Sequence, residues 1–313
     1  MVVEAKKRMR FDLVPESPYD LARCAGVFSQ FPSDGTDVWI PAREGFPAGH
    51  RRLHVVEDEA ILVTVQQEGG RRDSPLIVRT HPARPRHLAP LRARVRWQFH
   101  LDAPLGAFYR RAEEHRLFRS LLKTLYGVKP LRTPTLYEMA VIAISEQQLA
   151  FPVAVRIRSR LVAALGKKMT FAGGEYRAFP TAQAVAECRV RDLRAMSFST
   201  RKAEYLIELS RKVAMDGLNL EDLRDRPNEE VIAALTSLKG FGRWSAEYFL
   251  IRGLGRSDVF PADDLGIQRL VGKHLGPGRR VTAGECRKIL KEWGPYKRWA
   301  IFYLLCASRL GLI

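Results

Sequence analysis

Residues 235–269 read LTSLKGFGRWSAEYFLIRGLGRSDVFPADDLGIQR, and this stretch decides how the chain is organised. Two helical periods, Glu229–Leu238 and Arg243–Gly253, flank the triplet Gly240-Phe241-Gly242. Glycine tolerates positive φ, so a tight turn here can point successive backbone N–H groups outward. The second helix starts at once and adds the partial positive charge of its N-terminus. Such a hairpin can hold one backbone phosphate without reading sequence. An ordinary helix–helix turn uses the same glycines, so the hairpin alone does not choose between the two.

The choice turns on an acidic pair about twenty residues further on. Asp263 and Asp264 follow Pro261 and precede the amphipathic run LGIQRLVGKHL. An Asp at a helix start is usually an N-cap, worth about 1 kcal/mol. We assign that cap to Asp263 and place Asp264 in the first turn, where the helix dipole stabilises negative charge. A carboxylate held beside an anionic substrate is electrostatically costly. It makes sense where positive charge develops, as when an N-glycosidic bond breaks and the sugar becomes oxocarbenium-like.

Composition points to the same class of partner. Lys and Arg number 52 against 34 Asp and Glu, giving a formal net charge of +18 and a pI near 10.1. A polyanion partner is expected, bound less tightly as salt rises. A membrane surface is the competing polyanion. No apolar run is long enough to cross a bilayer, and the basic start MVVEAKKRMR has no secretory apolar core behind it. We therefore expect a cytoplasmic, nucleoid-associated protein. Cys24, Cys188, Cys286 and Cys306 are scattered without a CxxC, which excludes a closely spaced iron–sulfur loop and argues against structural zinc. The seven histidines show no ligand spacing, so no essential metal or organic cofactor is expected.

The front of the chain reads differently. RMRFDLV, DVWIPA, RRLHVVED, AILVTVQQEG, PLIVRTHP and ARVRWQFHLD are short, β-rich and split by Gly, Pro and Asp, predicting five or six strands. SPYDLARCAGVF predicts a helix with Ser17 near its cap, and Pro134 opens another. The fold expected is mainly α with an N-terminal α+β domain: residues 1–103 carry an antiparallel sheet and residues 104–313 a helical domain. Residues 74–101 hold six arginines and no acid. The basic segment 79–96 reads equally as a loop along DNA or as a solvated hairpin.

LKGFGRWSAEYF followed by VFPADDLGI resembles the helix-hairpin-helix DNA glycosylases, specifically their alkylbase (AlkA-type) branch, with its L-x-G-h-G-R-W-[ST]-A hairpin and P-x-D-D. AISEQQLAF at 143–151, SFSTRKAEYLIELS at 197–210 and WGPYKRWAIFYLL at 293–305 resemble further segments of that family in its order. The resemblance runs from Thr133 to Ile313.

It implies roles residue by residue. Asp264 matches the aspartate that stabilises the oxocarbenium-like sugar. Trp244 stands where strand-cleaving members carry a lysine nucleophile, which implies a monofunctional enzyme that leaves an abasic site unnicked. Trp244 and Tyr248 match cleft aromatics that stack on a flipped, electron-poor base, and Tyr296 is a third candidate for that pocket. Gln148 matches the wedge that fills the gap in the duplex, with Gln147 hydrogen-bonding behind it. Gly240, Phe241, Gly242 and Arg243 form the DNA-binding hairpin. Lys239 lies beside it as a solvated residue near the DNA backbone and is the first suspect should lyase chemistry appear. A monovalent cation at the carbonyls of Leu238 and Phe241 is a further implication. Leu265 stands where some relatives carry tyrosine.

The partner implied is duplex DNA with damaged bases, and the protein is expected to act as a monomer. The substrates implied are alkylated purines such as 3-methyladenine and 7-methylguanine. Excision of oxidised or deaminated purines (8-oxoguanine, hypoxanthine) is the alternative enzyme reading, and a non-catalytic DNA-binding protein is the alternative of a different class.

Overall fold

Alternating apolar residues in five segments build one antiparallel sheet, the front layer of the molecule. A computed structural model describes residues 7–26, 32–42, 47–68 and 74–313. The strands β1 (Lys7–Leu13), β2 (Asp37–Ile40), β3 (Gly49–Val56), β4 (Glu59–Gln67) and β5 (Leu76–Ala83) lie in the order β1-β5-β4-β3-β2. Glu57 and Asp58 take φ of 48° and 61° in the β3–β4 turn, matching its twist to the sheet. The six residues before β1, and Val27 and Phe28 of the expected first helix, lie outside the described residues.

Residues 93–102 do not form the expected sixth strand. They belong to α1 (Leu88–Gln98) and the turn after it. The alternating arginines of RARVRW suggest period two, but Leu88, Leu91, Val95 and Phe99 form a helical stripe packed on the sheet core. The arginines bend back onto the protein. Arg84 and Arg86 pair with Glu59, Arg92 lies over the Phe11 ring at 4.7 Å, and Arg94 donates to Val55 O at 2.7 Å. Segment 79–96 thus forms the end of β5, a short turn and most of α1 rather than a loop or a hairpin. In the first short helix, a π-turn at Ala22–Gly26, Asp20 accepts from Arg23 N at 3.0 Å, the capping job expected of Ser17.

The helical part comprises α2 (Gly106–Glu114), α3 (Arg116–Leu125), α4 (Leu136–Glu146), α5 (Phe151–Leu165), α6 (Ala182–Ala186), α7 (Val190–Ala195), α8 (Thr200–Ala214), α9 (Asn228–Thr236), α10 (Arg243–Phe249), α11 (Leu265–His274), α12 (Ala283–Leu290) and α13 (Lys297–Arg309). The hairpin β6 (Lys168–Phe171) and β7 (Gly174–Arg177) covers one face of the sheet, sharing a small core with Leu53 and Leu62. Helix α4 starts at Thr135 rather than Pro134, because the Thr135 hydroxyl accepts from Glu138 N at 3.2 Å. Its run LYEMAVIAIS is apolar nearly all round and lies at the centre of one core with α5, α8, α9 and α10. A second core surrounds α13 with α2, α3 and α11. Because α10 belongs to the first core and α11 to the second, the chain between them crosses from one to the other. All four cysteines are free and buried. Among the described residues, no helix is long and apolar enough to cross a membrane.

On β3 the even-numbered residues His50, Arg52 and His54 are buried polar groups facing the helical part. Arg52 bridges Asp37 of β2 and, at 2.6 Å, Glu138 of α4. His50 Nε2 and Gln98 Nε2 also reach Asp37, at 2.8 and 3.0 Å. The sheet is thus joined to the helical core by a buried ionic network as well as by apolar packing.

Candidate active site

The hairpin is built as its glycines require, though the two do different work. Gly240 has φ +87°, and a Cβ there would lie 2.5 Å from Tyr205 Cδ2. Gly242 is the N-cap of α10 in extended backbone (φ −103°, ψ 177°), and a Cβ on it would meet nothing within 4 Å. The first glycine is needed for the turn. The second leaves the approach to the helix N-terminus open. Phe241 is 7% exposed and belongs to the core, so this residue can offer DNA only its backbone. Gln147 Nε2 donates to Gly240 O at 2.6 Å and to Ser245 Oγ at 2.8 Å, tying the turn to the end of α4. Arg243 is exposed, with Nε 3.0 Å from Glu247 Oε1. The Lys239 amine pairs with Glu208 on α8 at 3.0 Å.

These two glycines separate stability from binding. Gly240→Ala is expected to cost about 3 kcal/mol, from left-handed strain and the Tyr205 overlap. Gly242→Ala is expected to melt like the wild type while losing affinity for any duplex, damaged or not, because its methyl occupies the open approach. Thermal melts and fluorescence-anisotropy titrations check both, and unchanged affinity in Gly242→Ala leaves the hairpin a plain helix–helix turn.

Asp264, not Asp263, is the N-cap of α11: its Oδ1 accepts from Ile267 N at 3.0 Å. A turn closed by Asp264 N on Pro261 O at 3.0 Å carries the chain one residue further before the helix starts. Asp263 is left exposed, 3.6 Å from Arg287. The other Asp264 oxygen, Oδ2, accepts from Trp244 Nε1 at 3.3 Å. Each oxygen thus has one donor holding it and a lone pair to spare. The Trp244 ring stacks on Tyr248, with centroids 5.2 Å apart and planes at 25°. Carboxylate, indole and phenol form one continuous group. Tyr296, the third pocket candidate, makes a ring contact with Phe108 of the second core, at 6.3 Å.

Behind the stacked pair lies a set of charges that residue patterns did not single out. Tyr248 Oη donates to Glu146 Oε2 at 2.8 Å and accepts from Arg252 Nη1 at 3.2 Å. Arg158 bridges Glu146 (2.9 Å) and Asp34 (2.9 Å). Lys202 Nζ donates to Ser145 O at 2.9 Å and Gln147 O at 2.7 Å, on either side of Glu146. Burial raises the Tyr248 phenol pKa; Arg252 opposes the shift and Glu146 adds to it. Burial also lowers the Lys202 ammonium pKa. The one signal available beforehand was an acid in the last turn of α4, where the helix dipole disfavours it. At the tip of the same segment Gln148 is exposed with φ +53°, and Leu149 beside it is 38% exposed.

Residues 141–296 match the family described as HhH-GPD superfamily base excision DNA repair protein. The DNA-3-methyladenine glycosylase of Bacillus subtilis is 28% identical over 66% of this chain and 68% of its own length. DNA-3-methyladenine glycosylase 1 of Schizosaccharomyces pombe is 33% identical over 62% of this chain and 83% of its own. Among solved structures, the 3-methyladenine DNA-glycosylase from Archaeoglobus fulgidus superposes with a TM-score of 0.83 at 28% identity, covering 96% of this chain and 98% of that one.

Proposed function

Because the chain belongs to the HhH-GPD superfamily of base excision DNA repair proteins, in its AlkA-like branch, we propose that it is a monofunctional DNA glycosylase. It releases alkylated purines such as 3-methyladenine and 7-methylguanine from duplex DNA. The observation that carries this reading is the Asp264 carboxylate, fixed by Ile267 N and by the indole of a Trp244–Tyr248 stack. The target base lies inside the stacked duplex and must be flipped out before its glycosidic bond can be reached. The hairpin at Gly240–Gly242 holds one phosphate by backbone N–H groups, and Gln148 at the exposed tip enters the gap the base leaves. The flipped base stacks on the aromatic pair, whose π faces favour the positive charge of an alkylated purine.

As the glycosidic bond lengthens, positive charge passes to the sugar, and Asp264 stabilises it. A spare lone pair on the same carboxylate can orient the attacking water. No amine occupies the position of Trp244, so no Schiff base forms there and the abasic strand stays whole. The carbonyl of Leu238 accepts the turn bond from Phe241 N at 3.1 Å and keeps a second lone pair. A monovalent cation fits such oxygen donors, and would add positive charge at the phosphate.

The test uses duplexes carrying a single 7-methylguanine, incubated with protein and then divided between a purified abasic-site endonuclease and no treatment, beside a protein-free control. Strand breaks above the control are expected only in the endonuclease arm. Breaks without the endonuclease would replace the monofunctional reading with a lyase, and no breaks above the control in either arm would remove the alkylpurine assignment.

A further inference from the structure

We propose that Glu146 sets the preference of the base pocket for cationic over neutral bases, acting through the phenol of Tyr248. This rests on the glycosylase reading above and deepens it.

The Tyr248 hydroxyl proton is committed. The hydroxyl donates to Glu146 and accepts from Arg252, so it has no proton to offer the edge of a base. What Tyr248 presents towards Trp244 is its ring face. A pocket that reads bases by a π face discriminates through charge and outline rather than through edge hydrogen bonds. The charge behind that face then matters. Glu146 has a side chain only 11% exposed, and the charged groups around it are Arg158, Arg252 and Lys202, with Asp34 beyond Arg158. These three cations and two carboxylates leave one net positive charge in the set. Without the charge of Glu146 the set would carry two, behind the Trp244–Tyr248 stack against which a cationic base must lie.

In a site screened less than bulk water, that difference opposes a cationic base and barely touches a neutral one. The carboxylate also accepts a hydrogen bond from the phenol, which enriches the ring and strengthens cation–π attraction. On cleavage the positive charge leaves the base for the sugar. Glu146 therefore acts on capture of the flipped base, and Asp264 on the bond-breaking step.

The probes are two duplexes of one sequence, each with a 2′-fluoro sugar that resists cleavage at the test position. One carries 7-methylguanine, which is cationic. The other carries 7-deaza-7-methylguanine, neutral and of the same outline. Wild-type protein is expected to bind the cationic duplex more tightly, and Glu146→Gln to lower that Kd ratio about ten-fold, the scale of one unit charge in a partly buried site. Arg252→Gln, which removes a positive charge from the same set, is expected to raise the ratio. Each ratio comes from one preparation, so the folded fraction cancels.

A pocket merely distorted by the substitution weakens both duplexes equally, and that result would overturn the proposal. So would a wild type without preference, or ratios that shift in the same direction in both variants. Failure of wild type to release 7-methylguanine from an ordinary duplex would instead overturn the functional reading beneath it.

Discussion

Asp264→Asn is expected to reduce base release by at least about 10²–10³-fold, the range found when one preorganised electrostatic partner of a transition state is removed. The fold should survive. Asn caps helices as well as Asp does, so its Oδ1 can keep the bond from Ile267 N now made at 3.0 Å. The new amide nitrogen meets Trp244 Nε1 donor to donor, where the carboxylate accepts at 3.3 Å, so a small rotation of the side chain should follow. Affinity for a duplex with an abasic analogue should hold or tighten, since one negative charge next to the phosphates is gone while the hairpin is untouched. Single-turnover base release and abasic-duplex titrations separate the two effects. Near-wild-type release would remove Asp264 from the chemistry, and lost binding with normal melting would recast it as a DNA-positioning group.

The residues behind this prediction were legible in the sequence because the pattern is local. Gly240 and Gly242 punctuate a helical pattern, Trp244 and Tyr248 are one turn apart, and a helix must begin somewhere near Pro261. The assignment of the cap within Asp263-Asp264 was not legible. It depends on a turn closed by Asp264 N on Pro261 O, a backbone choice that both residues tolerate equally. Residues 93–102 went wrong for a related reason: alternating arginines imitate a strand, and the helical stripe shows only once the sheet it covers is known. The roles of Glu146 and Glu138 were out of reach, beyond the hint of an acid at the unfavoured end of α4. Their partners Tyr248 and Arg52 lie 102 and 86 residues away in the chain, and a lone acid in an apolar helix names no partner.

Arg52→Met should destabilise the fold more than either Gly240→Ala or Asp264→Asn. The arginine is 2% exposed and satisfies Asp37 and Glu138 together, so its loss leaves two carboxylates facing one another with no cation between them. Breaking a buried pair from one side costs about 3–5 kcal/mol. The pH dependence gives the test its sign. Burial pushes the Glu138 carboxyl up to about 7, against the pull of Arg52. An acid whose folded pKa is raised binds more protons folded than unfolded, so its contribution to stability falls as pH rises from about 4.5 to about 7 and is level above that. Without Arg52 the carboxyl rises further and the fall continues to higher pH. The gap between wild type and Arg52→Met, read from urea unfolding, should therefore be wider at pH 8 than at pH 5. The double variant Arg52→Met, Glu138→Gln should recover part of it, because the residual penalty belongs to the uncompensated charge. A gap independent of pH, with no recovery in the double variant, would mean that Arg52 stabilises the join between sheet and helices through packing of its stem and not through its charge.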